Sequence, residues 1–232
     1  MRHVTVDEWS TRDGVLHRRD ARAKLVAVLT LLLTISLSTK AVTFVAIGAL
    51  LAAGFLLSRA PAGGFIARVG VLLLFPLTFA GLVALSRDPD RAVLLLTRSS
   101  LSLTAILLTV STTPMPHILT ALRRFGLPVM LVEVVQFVYR YLFVLGEEAW
   151  HMRTAAALRG GRRSLPAAAS TAGVLFGRAY GRAEGIHRSI ASRSFSGLMS
   201  VPARAPFTLA DAALAGAIAG IAVCCLLLER LA

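Results

Sequence analysis

From Lys24 to Arg59 the chain reads KLVAVLTLLLTISLSTKAVTFVAIGALLAAGFLLSR, and inside that run the one charged residue is Lys40. A helix of about 20 apolar residues crosses the hydrocarbon core of a bilayer. The run is therefore too long for one span and long enough for two. STKA, ending at Ala41, supplies the break. The pattern predicts a helical hairpin, roughly 24–38 and 41–58.

The rest of the chain repeats this theme. APAGG at 60–64 is a loop of turn residues. A third span is expected at about 65–86, with Pro76 as a kink, and a fourth at about 92–112 after the turn RDPDR. A last apolar run occupies about 207–228 and contains GAIAG, a small-residue pattern that lets helices approach closely. Hydrophobic residues make up 56% of the chain and the mean hydropathy is +0.73. Soluble domains sit nearer 45–50%. The expected fold class is all-α: a polytopic α-helical membrane protein with a cytoplasmic helical coupling region, in preference to a soluble all-helical protein.

Arg98 lies within the fourth span, close to several hydroxyls. An intramembrane arginine faces protein or water, or it snorkels from a position near the segment start. Both placements are open on sequence grounds. Between the spans, HILTALRRFG reads as a short amphipathic helix stopped by Gly126 and Pro128. The stretch 129–146 is apolar but carries Glu133, Gln136, Tyr139 and Arg140, and 147–204 is polar, with nine arginines against Glu147, Glu148 and Glu184.

The net charge is +13. In a membrane chain such a balance first means that basic loops stay cytoplasmic. Nucleic-acid binding would need a basic face with base-reading side chains, and these arginines cluster instead at segment ends and in one polar region, so no nucleic-acid partner is expected. The tail containing Arg2, Arg12, Arg18, Arg19, Arg22 and Lys24 should be cytoplasmic. If 129–146 crossed, the nine-arginine region would lie outside, against this bias. We therefore expect that stretch to lie beneath or against the membrane, or to dip in without crossing. The expected organisation is a cytoplasmic segment at 1–23, four membrane helices over 24–112, a cytoplasmic coupling region at 113–205 with two coupling helices, and a terminal membrane helix at 206–232.

Motifs for chemistry are sparse. There is no GxxxxGK[ST], HExxH or GxSxG, and no two histidines stand four residues apart. Cys224 and Cys225 are adjacent in an apolar run, which supports neither a disulfide framework nor a metal site. Glu148 and His151 share a helical face and suggest a surface hydrogen bond. No catalytic residue, metal ligand or cofactor is assigned. A membrane-embedded enzyme built on Arg98, Arg140 and Glu133 would lack a nucleophile, and a passive scaffold is a further alternative. What stands out is a pair of short elements, Ala157-Leu158-Arg159-Gly160 and Ser192-Arg193-Ser194, each setting one arginine among small residues. Small residues admit a partner helix closely, and a guanidinium there can grip carboxylates or carbonyls with its planar fork.

Four segments carry a resemblance: LHRRDARAKL at 16–25, STTPMPHILTALRRFGLP at 111–128, YRYLFVLGEEAWHMRTAAALRGG at 139–161 and SIASRSFSG at 189–197. In this order they resemble the transmembrane T component of energy-coupling factor (ECF) transporters, of the cobalt-type CbiQ family. A proline is usual in that family where Ala21 stands here, and alanine where Leu158 and Ser192 stand. The resemblance implies a non-catalytic subunit of an ABC-type importer in the bacterial inner membrane. Its partners would be two cytosolic ATPases and a membrane-embedded substrate-binding S component, with the bilayer around it. It implies that Ala157, Leu158, Arg159, Gly160, Ser192, Arg193 and Ser194 form the ATPase-docking motifs; Arg98, Arg140, Glu147 and Glu148 are, from the residues themselves, candidate structural polar residues. ATP binding would close the ATPases and move the coupling helices. Cobalt is the substrate most in keeping with the likeness; nickel or vitamin uptake is the alternative.

Overall fold

The computed structural model describes residues 19–58, 62–85, 88–160, 165–193 and 209–231, and the helices within them are α1 (Ala21–Leu37), α2 (Ala41–Ser58), α3 (Ala62–Leu85), α4 (Pro89–Thr112), α5 (Met115–Arg124), α6 (Val129–Leu158), α7 (Leu165–Ser192) and α8 (Leu209–Leu231). Among the described residues there is no strand. The chain divides into two compact units: residues 1–121 with 202–232, and residues 122–201.

In the first unit α4 packs against α1, α2 and α3, and α1 packs against α8. Asp20 caps α1 by accepting from the backbone N–H of Arg22 at 3.0 Å, which satisfies one donor left over at a helix start. The hairpin turn after α1 begins at Ser38, whose N–H returns to the carbonyl of Thr34. Leu31 and Ile35 of α1 meet Phe44, Ile47 and Leu51 of α2, Phe65 of α3, and Ala105 and Leu108 of α4 in one buried cluster. Gly54 brings α2 close to α4: a Cβ there would lie 3.1 Å from Leu108 Cδ2. Pro76 sits inside α3 without ending it.

The surface is apolar. Leu56, Val71, Phe75 and Leu85 are each more than 70% exposed, and they stand among many such side chains on α2 and α3. Water would not tolerate so large a continuous apolar surface; lipid does. Among the described residues, four helices are long and apolar enough to cross a membrane, Ala41–Ser58, Gly63–Leu85, Pro89–Thr112 and Val129–Leu158. The protein is a multi-pass α-helical membrane protein.

α4 also shows how a span can hold many hydroxyls. Thr97, Ser100, Thr104 and Thr109 each donate to a carbonyl one turn earlier in the same helix. This satisfies the hydroxyls where no water is present. Arg98 resolves in favour of protein: its Nη2 donates to the carbonyl of Ser38, at the end of α1, at 2.6 Å. At the opposite end of the same pair Lys24, 6% exposed, donates from Nζ to the carbonyl of Thr112 at 2.9 Å and the hydroxyl of Thr113 at 3.0 Å. Arg19 pairs with Asp211, in the first turn of α8, at 3.5 Å.

The second unit takes in the last residues of α5, then α6 and α7. Gly126 has φ +98°, and Leu127 N–H reaches back to the carbonyl of Leu122, a left-handed glycine stop. Pro128 then caps α6. The sequence suggested a change of character near 146; the helix instead continues unbroken to Leu158, because LGEEAWHMRTAAAL contains no residue strong enough to end it.

Candidate coupling site

The first arginine element is a helix terminus. α6 ends at Leu158, and Arg159 is its cap, with its N–H returning to Ala155 O. Gly160 has φ +74° and its N–H returns to Ala157 O. A side chain at that position would be strained, so glycine lets the chain leave the helix there. This explains the order Ala-Leu-Arg-Gly. The alanines extend the helix, the glycine ends it, and the arginine stands where the turn lifts it clear. Ala157, Leu158, Arg159 and Gly160 are all exposed, Leu158 at 84%.

The second element is built alike. α7 ends at Ser192, and Arg193 N–H returns to Ile190 O in a closing turn. Ser192 Oγ donates to Ser189 O at 3.0 Å, just as Thr154 Oγ1 near the first element donates to Trp150 O at 2.9 Å. The small polar side chains thus bond to their own helices, and the arginines extend outward. Ser192 and Arg193 are exposed; Ser194 lies outside the described residues.

The two elements are separated by α7, whose 28 residues make about 42 Å of helix. Glu148 ties α7 to α6. Its Oε1 accepts from Arg178 Nη1 at 2.6 Å, and Arg182 Nη2 lies 3.9 Å from its Oε2. Arg178 and Arg182 are one turn apart, so one carboxylate meets two guanidiniums. Neither arginine stands out in the sequence. The signal was an arginine pair at helical spacing in a segment short of acids.

Glu147 contacts His151 at 3.8 Å. The sequence had paired His151 with Glu148; the correct partner is Glu147, four residues back, because Glu148 turns toward α7. Arg140 is exposed and Glu133 is buried. Among the described residues no group of His, Cys, Asp or Glu could hold a metal ion.

Residues 13–202 match the family described as cobalt transport protein, CbiQ. The chain belongs to the CbiQ family. The cobalt transport protein CbiQ of Rhodobacter capsulatus is 32% identical over 154 residues, 63% of this chain and 63% of that protein. A putative fused cobalt transport protein CbiMQ of Methanocorpusculum labreanum is 29% identical over 117 residues, 49% of this chain and 20% of its own length. The Salmonella typhimurium cobalt transport protein CbiQ is 39% identical over 85 residues, 35% of this chain and 38% of that protein. The chain spans less than two thirds of the length of these CbiQ-type relatives. CbiQ membership and the membrane fold agree with the resemblance read from the four segments.

Proposed function

We propose that the chain is the T subunit of an ECF-type importer in the bacterial inner membrane, with its N-terminus cytoplasmic. It couples ATP hydrolysis by two partner ABC-type ATPases to uptake of a transition-metal ion presented by a membrane S component. Cobalt is the ion for which its relatives are named, and the fused CbiMQ relative favours a partner within the same membrane.

The observation that carries this reading is the pair of matched helix ends. Each leaves one exposed arginine at a helix terminus beside a small residue, Gly160 in the first and Ser192 in the second, and α7 lies between them as a stiff spacer. Such ends suit two separate grooves on two ATPases better than one binding pocket. The exposed Leu158, where the resemblance leads one to expect alanine, adds apolar area at the contact.

The fold also supports a cytoplasmic coupling unit. Lys24 with Thr112, and Arg19 with Asp211, gather the start of α1, the end of α4 and the start of α8 at one end of the membrane unit. The segment between α4 and α8 therefore leaves and returns on the same side. If α6 crossed, α7 would have to cross back, yet α7 carries Arg178, Arg182, Glu184 and Arg188 and is not among the candidate spans. Zero crossings fits better than two.

The test is the double variant Arg159→Glu with Arg193→Glu, assayed by affinity co-purification of ATPases and by metal uptake. Loss of both with normal membrane insertion is expected. Normal assembly and uptake would refute the docking assignment.

A further inference from the structure

The chain leaves the membrane unit after residue 121 and returns to it from residue 202. Inside the membrane unit, the segments that lead to and from these junctions are both held by the same short stretch at the start of α1. Lys24 grips the outgoing one, at the carbonyl of Thr112 and the hydroxyl of Thr113. Arg19 grips the returning one at Asp211, whose side chain is 6% exposed. Asp20, between them, caps α1 and keeps this turn helical. The sequence separations are large, 88 and 89 residues for the lysine bonds, so nothing local dictates them.

We infer that residues 19–24 are an anchor that holds the two junctions of the coupling unit together, with Lys24 and Arg19 as positioning residues. The inference rests on the proposed coupling role of residues 122–201. The physical case is that each link engages a charged group that is largely removed from solvent: Lys24 through charge-assisted hydrogen bonds, and Asp211 through its ion pair with the partly exposed Arg19. A buried ammonium at the last carbonyls of α4 complements the negative end of that helix. A nearly buried carboxylate opposite Arg19 resists separation, because parting would remove its cation from a largely desolvated group. Motion of the coupling helices would then reach the membrane helices through α1. Without the anchor the two junctions would move independently and dissipate the stroke.

The experiment is hydrogen–deuterium exchange on the full chain in lipid nanodiscs, followed by uptake assays on the reconstituted complex. Lys24→Met should speed exchange in residues 113–124 by roughly tenfold, in keeping with loss of a charge-assisted hydrogen bond. Arg19→Gln should do the same in residues 209–215. In both variants residues 31–51, the buried cluster of α1 and α2, should exchange as in the parent, and Lys24→Arg should restore most of the protection. In the complex, both variants should retain ATPase association and hydrolysis while uptake per ATP falls. A uniform rise that includes residues 31–51 would mean a merely structural role, and no change at the junctions would mean no anchor; either overturns the inference. Looser junctions with unchanged uptake per ATP would overturn the coupling part. If the parent chain captures no ATPases, the proposed function fails instead, and the exchange pattern still judges the anchor.

Discussion

Arg98 of α4 donates to the carbonyl of Ser38 at the end of α1, while Lys24 of α1 donates to the carbonyl of Thr112 at the end of α4. The interval from Lys24 to Ser38 equals that from Arg98 to Thr112, so the two helices run antiparallel in one register. Each lends a cation to the other's C-terminus, the end at which helix dipoles favour positive charge. Apolar packing in lipid carries little register information, because lipid is as apolar as leucine. Two charge-assisted hydrogen bonds at fixed positions supply it.

Arg98→Leu should therefore destabilise the first unit by about 1.5–3 kcal/mol, the range for a hydrogen bond to a charged group. Arg98→Lys should recover only part of this, since an ammonium lacks the reach and planar fork of a guanidinium. Thermal unfolding in detergent, followed by circular dichroism, measures both.

Gly54 tests the closeness of α2 and α4. A Cβ would sit 3.1 Å from Leu108 Cδ2, whereas at Gly48 the nearest atom, Leu101 Cδ2, is 3.7 Å away. Gly54→Val should cost about 1–3 kcal/mol by overpacking, and Gly48→Ala should be tolerated. Adding Leu108→Ala to Gly54→Val should recover part of the loss, which a double-mutant cycle of unfolding midpoints would reveal.

Gly160 tests the shape of the docking end. At φ +74° a β-branched side chain is strained, while asparagine is accommodated. Gly160→Val should weaken ATPase co-purification at least severalfold, and Gly160→Asn should leave it near normal. Bilayer insertion should be unaffected by either. Equal binding by both variants would show that the turn does not orient Arg159.

Thr154 lies on the exposed side of the last turns of α6. In a background with Cys224→Ser and Cys225→Ser, Thr154→Cys should react with an impermeant maleimide in inverted vesicles and not in intact cells. Labelling of intact cells would reverse the proposed sidedness.

Local pattern alone made the chain helical, put it in a membrane and set one arginine among small residues in each of two elements, Ala157–Gly160 and Ser192–Ser194. Apolar runs of bilayer length, glycine and proline stops, and the distribution of charge all act locally, and they fall where α2, α3, α4 and the stop at Gly126 are found. The structure alone decided which charges meet. Arg98 was open between two placements, Lys24 read only as a flanking cation, and His151 was assigned to the wrong glutamate. Their partners lie 60 and 88 residues away in the first two cases. In the third, Glu148 is drawn off by Arg178, 30 residues on. Pairing across such distances depends on helix register and on which side chains burial leaves unsatisfied, and neither quantity exists until the helices have packed.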